Sequence, residues 1–219
     1  MRRSYFSSNP FESFQIKSFK TLYRRMQLSY TNQTHNSSVM QTLDKLRILA
    51  GAGRWDICSS THTKRKGVLP GICHSFTPDG RCVSLLKVLY TNSCIHDCRY
   101  CKNSNCNDQK VSFNPDELAG LFMNFYVRNY VEGLFLSSGV SGDPDIITEQ
   151  MIETATIIRK KHGFNGYIHL KVLPGLSYEQ IKQLSELSDR LSINLESPNK
   201  SRFSELSSTK DYKIDLLRI

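Results

Sequence analysis

The chain has 219 residues, of which 39% are hydrophobic, and a formal net charge of +9. This length allows one domain with a substantial core, and no apolar run approaches the ~18 to 20 residues that cross a bilayer, so we expect no membrane span. The seven cysteines are an odd number, bunched between Cys58 and Cys106. They argue against a disulfide framework and favour thiolate ligation in a reducing compartment such as the cytoplasm.

Residues 1–39 carry much of the positive charge, with six Lys or Arg against one acid. The segment is also rich in Ser, Asn and Gln, and we predict that it is a disordered N-terminal extension outside the fold. Either an appended tail or a start that was set upstream of Met40 would explain it. Basic surface of this size is, by itself, weak evidence for phosphate binding.

Residues 40–82 are predicted to form an N-terminal region with one helix and a long loop. Apolar residues recur at the helical period from Leu43 to Ala50, and Gly51 follows where the helix should end. The stretch from Trp55 to Gly80 has the composition of an irregular loop. The additional cysteines of this region are either ligands of a second metal or small buried residues, and both interpretations stay open for Cys58, Cys73 and Cys82.

Residues 83–219 alternate predicted strands and helices. Helices are expected after the cap Asn114, from about Thr148, and after the capping box that begins at Ser177. Such alternation predicts an α/β fold with a parallel sheet and right-handed crossovers, curled as a partial (β/α) TIM-like barrel of about four β/α units. Functional residues then belong at the carboxyl ends of the strands. The predicted strands are Val83–Tyr90, Gly133–Ser137, Tyr167–Val172 and Arg190–Leu195.

Three cysteines follow the first of these strands in the pattern Cys94-x-x-x-Cys98-x-x-Cys101. Three thiolates at this spacing can wrap one loop around a [4Fe-4S] cluster and leave the fourth iron open to a substrate or cofactor. The alternative is a structural zinc ion with Cys106 as the fourth ligand. Against zinc, all four ligands would crowd into one loop instead of two separated arms.

Polar residues also follow the other three strands. Ser137, Ser138 and Gly139 come after the second strand, and a glycine there lets the backbone approach a ligand closely. Lys171 lies at the end of the third strand, while Asn194 and Glu196 alternate with apolar neighbours in the fourth. We therefore expect these side chains to converge with the cysteines on one cavity.

The cysteine pattern, with Tyr100 directly before the last cysteine, resembles the radical S-adenosylmethionine (SAM) superfamily. Three further segments resemble its DNA modification or repair family, and the similarity covers about residues 40–199. The chain stops before the C-terminal region of that family, so the resemblance implies a C-terminally truncated member. The segments are Gly71–Cys82 with the strand that follows it, Glu132–Gly139 and Gly163–Lys171.

The resemblance implies an enzyme whose reduced cluster cleaves SAM into methionine and a 5′-deoxyadenosyl radical. Cys94, Cys98 and Cys101 would be the cluster ligands, and Tyr100 would pack beside the cluster. SAM would be held by the polar residues at the strand ends: Ser137, Ser138, Gly139, Lys171, Asn194 and Glu196. The expected partners are a flavodoxin- or ferredoxin-type electron donor, DNA and a uracil-DNA-glycosylase-like protein.

Two other hypotheses follow from the same residues. The superfamily core usually has six β/α units where four are predicted here, so the chain could be an inactive fragment or a domain that another chain completes. A zinc-stabilised nucleic-acid-binding module is the second hypothesis. It would use Cys94, Cys98, Cys101 and Cys106 together with the basic run from His62 to Lys66.

Overall fold

The computed structural model of the chain describes residues 36–53, 71–76, 80–104 and 109–217. Within these residues, five strands form one sheet in chain order. The first strand is antiparallel to the second, and every later neighbour is parallel. The predicted α/β fold is thereby confirmed as a mostly parallel sheet that fits a partial TIM-like barrel. The strands are β1 (Ile72–Phe76), β2 (Cys82–Leu89), β3 (Gly133–Ser137), β4 (Tyr167–Lys171) and β5 (Arg190–Ser192).

Helices connect the parallel strands as β/α alternation requires. The described helices are α1 (Asn36–Gly53), α2 (Pro115–Val127), α3 (Pro144–Thr156), α4 (Tyr178–Leu187) and α5 (Lys200–Leu206), with π-helical turns at Ile157–Lys161 and Lys213–Leu217. Both predicted caps are present: Asn114 and Ser177 each form a reciprocal capping box with the residue three positions later. None of the described helices combines the length and apolar character needed to cross a bilayer.

The two faces of the sheet differ in character. One face packs its alternate residues from β2, β3 and β4 against the apolar sides of the helices, through Phe122, Met151 and Leu184 among others. The other face carries Lys87, Phe135 and His169, which are in register across β2, β3 and β4. All three of these residues are buried. Burial on both faces is what a parallel sheet inside a barrel-like fold requires.

Helix α1 is longer than its sequence pattern predicts. It begins at Asn36 and not near Met40, so it reaches into the segment that we predicted as an extension, whose residues 1–35 lie outside the described ranges. Leu43, Leu46 and Leu49 are buried as predicted. A Cβ on Gly53 would lie 3.8 Å from the Cα of Val88, so the end of α1 packs on β2.

Three further predictions from the sequence are wrong. Strand β1 lies in the stretch predicted as loop, because Ile72–Phe76 pairs with β2 although its polar residues and short length give no strand pattern. Helix α3 starts at Pro144 and not Thr148, since the Asp143 side chain caps it. The fourth predicted strand ends at Ser192, and Leu195 beyond it is 51% exposed instead of buried.

Candidate metal centre

One cavity lies at the carboxyl ends of β2 to β5, where the loops after the strands meet. Its wall brings together residues from distant parts of the chain, from Ala52 to Leu216. The site residues predicted from the sequence all line it: Cys94, Cys98, Tyr100, Cys101, Ser137, Ser138, Gly139, Lys171, Asn194 and Glu196. Their convergence is the geometry expected at the carboxyl edge of a parallel sheet.

The cysteine loop presents three free thiols to this cavity. Cys98 is 4% exposed, while Cys94 and Cys101 are half-buried. Burial raises the pKa of the Cys101 thiol, and negative charge on Cys98 and Cys94 raises it further. Neighbouring thiolates repel one another, so a shared cation is needed if all three thiols are to be deprotonated together.

The arrangement of the three cavity cysteines bears on the kind of metal group that they can hold. In the part of the chain that the structure describes, no three His, Cys, Asp or Glu side chains converge closely enough to hold a single metal ion. In a [4Fe-4S] cluster each thiolate binds a different iron, so the ligands surround the cluster and do not converge on one point. Three free thiols on the wall of one cavity can supply the three ligands of such a cluster. Cys106, the fourth ligand of the zinc alternative, lies outside the described residues.

The base of the cysteine loop is fixed by the two buried residues that follow β2. Thr91 donates its hydroxyl to the carbonyl of Val111 (2.9 Å). The Asn92 amide group donates to the carbonyl of Gln109 (2.8 Å), and its oxygen accepts from the N–H of Val111 (2.7 Å). These bonds give the loop a defined starting direction before Cys94.

Gly139 is required by the cysteine loop itself. A Cβ at this position would lie 2.3 Å from the carbonyl oxygen of Ser93, and the Gly139 N–H donates to the carbonyl of Thr91 (2.8 Å). The N–H of Ile95 donates to the carbonyl of Val140 (2.8 Å). The sequence prediction explained this glycine by close approach to a ligand. In the structure the group that occupies the space is the neighbouring loop, although Gly139 still lines the cavity.

Tyr100 and Glu196 form a polar pair beside Cys98. The Tyr100 ring is 50% exposed, but its hydroxyl hydrogen-bonds with the Glu196 carboxylate and with Cys98. Burial, the Glu196 charge and Cys98 together raise the pKa of Tyr100 well above its usual range, so the hydroxyl keeps its proton and acts as a donor. Tyr100 thus links the cysteine loop to the loop after β5.

Glu196 has a backbone conformation that is rare for a residue with a side chain. Its φ is +60°, and the N–H of Ser197 bonds to the carbonyl of Leu195 (2.6 Å), which closes a three-residue turn around it. A positive φ in such a turn costs on the order of 1–3 kcal/mol and is typically found at functional sites. The turn, and not the strand alternation that we predicted, brings the Glu196 side chain to the cavity.

Lys171 and Asn194 form a second polar pair on the wall. The Lys171 ammonium donates to the side-chain oxygen of Asn194, and Lys171 is buried at the end of β4. Below this pair, His169 bonds to the hydroxyl of Ser192 (2.7 Å). The two pairs therefore form a row of polar residues that runs from the cavity wall to the face of the sheet that carries His169.

Sequence reasoning missed a group of residues near the end of the chain. His96 and Lys210 also line the cavity. Hydrogen bonds from Ser207 and Ser208 hold the pKa of the Asp97 carboxyl well below its usual range. Asp97 is therefore an anion whose charge these hydrogen bonds stabilise. These contacts join residues about 110 positions apart, and no local pattern in the sequence marks them.

Comparison with known proteins agrees with this geometry. A family model described as the radical SAM superfamily matches residues 88–215, which is more than half of the chain. The chain therefore belongs to the radical SAM superfamily. The match contains the three cysteines and every strand end that lines the cavity.

Two solved structures are similar over part of their length. One is a crystal structure of HydG, a maturase of the [FeFe]-hydrogenase, with a TM-score of 0.48 and 16% identity. The other is the FeFe-hydrogenase maturase HydG from Carboxydothermus hydrogenoformans, with a TM-score of 0.47 and 18% identity. Each comparison covers 57% of this chain and 29% of the HydG chain, so this chain spans less than a third of those proteins. No match was found among the curated proteins.

Proposed function

We propose that the protein binds a [4Fe-4S] cluster through Cys94, Cys98 and Cys101 and cleaves SAM reductively. The observation that carries this proposal is the shared cavity, in which three free thiols face the polar residues of the next three strand ends. Membership of the superfamily supports the same chemistry. When bound, the cluster would supply an open iron and one electron from a flavodoxin- or ferredoxin-type donor, which breaks a carbon–sulfur bond of SAM.

The residues around the thiols have the donors and acceptors that SAM needs. Ser137 ends β3, and Ser138 and Gly139 follow it beside the cysteine loop. We assign these three residues to the methionine end. Asn194 and Glu196 can accept hydrogen bonds from hydroxyl or ammonium groups, which suits the ribose and the amino group. Apolar wall residues such as Leu173 limit the access of water to these polar groups.

The substrate is assigned by resemblance alone. The segments that resemble the DNA modification or repair family lead us to propose a nucleobase or sugar in DNA, with a uracil-DNA-glycosylase-like protein as partner. A base in a duplex would have to be flipped out, or presented in a single strand, to reach a buried radical. The net charge of +9 is compatible with a nucleic-acid substrate but does not identify it.

The test is production of 5′-deoxyadenosine by anaerobically reconstituted protein with dithionite and SAM. Wild type should form it, and Cys98→Ala should not. Cys82→Ala is the matched control because Cys82 is exposed at the start of β2, at the opposite end of that strand from the cavity. Product from Cys98→Ala at the wild-type level would overturn the proposal.

The substrate proposal has its own measurement. Single-stranded DNA that is deuterated in its sugars or, in a second sample, in its bases should transfer deuterium to 5′-deoxyadenosine from one of the two, whereas unlabelled DNA should not. Formation of 5′-deoxyadenosine with no label transfer from any DNA would retain the radical chemistry and exclude this substrate. Bound zinc at one ion per chain, with no sulfide, would instead favour the nucleic-acid module.

A further inference from the structure

The segment that follows α5 returns to the cysteine loop and bonds to it at several points. The Asp97 carboxylate accepts hydrogen bonds from the hydroxyls of Ser207 (2.7 Å), Ser208 (2.5 Å) and Thr209 (2.9 Å). It also accepts from the N–H of Ser208 (3.0 Å). Bonds to an ionised acceptor are roughly twice as strong as neutral ones, so this contact is firm even near the surface.

These bonds fix the backbone on both sides of Cys98. The N–H of Asp97 donates to the hydroxyl of Thr209 (3.2 Å), and the N–H of Arg99 donates to the carbonyl of Leu206 (3.0 Å). Cys98, between them, is the most buried of the three cavity thiols. The backbone on either side of Cys98 is therefore held by the last residue of α5 and by the segment that follows that helix.

Lys210 is the next residue after these contacts, and it lies on the cavity wall with the three cysteines. Three thiolates on one cavity wall accumulate negative charge in one place, and a nearby ammonium offsets part of it.

We propose that the segment Ser207–Lys210 forms the second half of the cluster site, with its hydroxyl residues fixing the cysteine loop through Asp97 and Lys210 stabilising the negative charge of the thiolate-bound cluster. The inference rests on the proposed function. Lys210 acts as a positioning residue in this assignment, because it changes the electrostatic environment of the cluster without binding iron. Reduction adds one negative charge to the cluster, so the ammonium of Lys210 favours the reduced form.

The test is a redox titration of the reconstituted cluster, followed by electron paramagnetic resonance, in Lys210→Met, Lys210→Arg and the control Lys200→Met. Lys200 belongs to α5, is 61% exposed and does not line the cavity. Lys210→Met should lower the midpoint potential by about 60 mV, which is a tenfold change in the ratio of reduced to oxidised cluster for one electron. Lys210→Arg should retain most of the wild-type potential, and Lys200→Met should retain all of it.

The outcomes separate this inference from the function on which it rests. Equal potentials in Lys210→Met and Lys200→Met would overturn the role of Lys210. A Lys210→Met chain that unfolds at the wild-type temperature but takes up less iron than Lys200→Met would support it. Equal losses of iron in the two variants would contradict it. A wild-type chain that takes up no iron and sulfide would overturn the proposed function itself.

Discussion

The two halves of the cavity are held in place by different kinds of contact. The half formed after β2 and β3 depends on backbone bonds and close packing, with Gly139 against the carbonyl of Ser93. The half formed by the segment after α5 depends on side-chain hydroxyls around the carboxylate of Asp97. The first half is therefore sensitive to added volume, and the second is sensitive to the loss of one charge.

The largest effect is expected in the packed half, from Gly139→Ala. A Cβ would lie 2.3 Å from the carbonyl oxygen of Ser93, and backbone must move to accommodate it. We expect a loss of roughly 1–3 kcal/mol of unfolding free energy, measured by urea denaturation, together with weaker iron uptake. Gly120→Ala is the control, because nothing lies within 4 Å of its Cβ position in α2 and alanine suits a helix better. Wild-type stability in Gly139→Ala would show that the loop is not packed as described.

A smaller effect is expected in the charged half, from Asp97→Asn. The asparagine keeps the size of the side chain but removes the charge and one accepting oxygen, so the segment after α5 should detach more often. Amide hydrogen exchange around Asp97 and Ser208 should rise by about tenfold, while exchange in β3 stays unchanged. Asp116→Asn is the matched control, since Asp116 is an exposed acid on α2 that pairs with Lys161. Equal exchange in Asp97→Asn and wild type would refute the role given to this carboxylate.

The smallest effect concerns the turn at Glu196, which Tyr100 links to the cysteine loop. Glycine and alanine substitutions both remove the carboxylate, but only alanine keeps a Cβ at the positive φ of +60°. Glu196→Gly should therefore be about 1 kcal/mol more stable than Glu196→Ala, by urea denaturation. If the alanine variant proved equally stable, the positive φ of this turn would not persist in solution.

Most of the fold could be predicted because its signals are local. The apolar run that became β2 and the capping boxes at Asn114 and Ser177 are decided by neighbouring residues. Strand β1 could not be predicted, because Ile72–Phe76 becomes a strand only through pairing with β2. The alternation of apolar and polar residues likewise carries no signal for where strand pairing stops. The predicted end of β5, Leu195, therefore lies three residues beyond the observed end at Ser192.

The candidate site likewise contains residues that the sequence marks and residues that it does not. The three cysteines and the polar strand ends are marked by spacing and by their place after each strand, and the structure brings them to one cavity. Ser207 to Lys210 carry no such mark, since a run of serine and threonine is typical of any exposed loop. Their role depends on contacts with Asp97, about 110 residues earlier in the chain, which only the folded structure reveals.

The most direct measurement is the iron and acid-labile sulfide content of the anaerobically reconstituted chain, compared across single cysteine-to-alanine variants. We predict about four iron and four sulfide per wild-type chain, a severe loss in the variants of Cys94, Cys98 and Cys101, and full content in the variant of Cys82. Stoichiometric zinc without sulfide in the wild type, or full iron and sulfide in Cys98→Ala, would contradict the account.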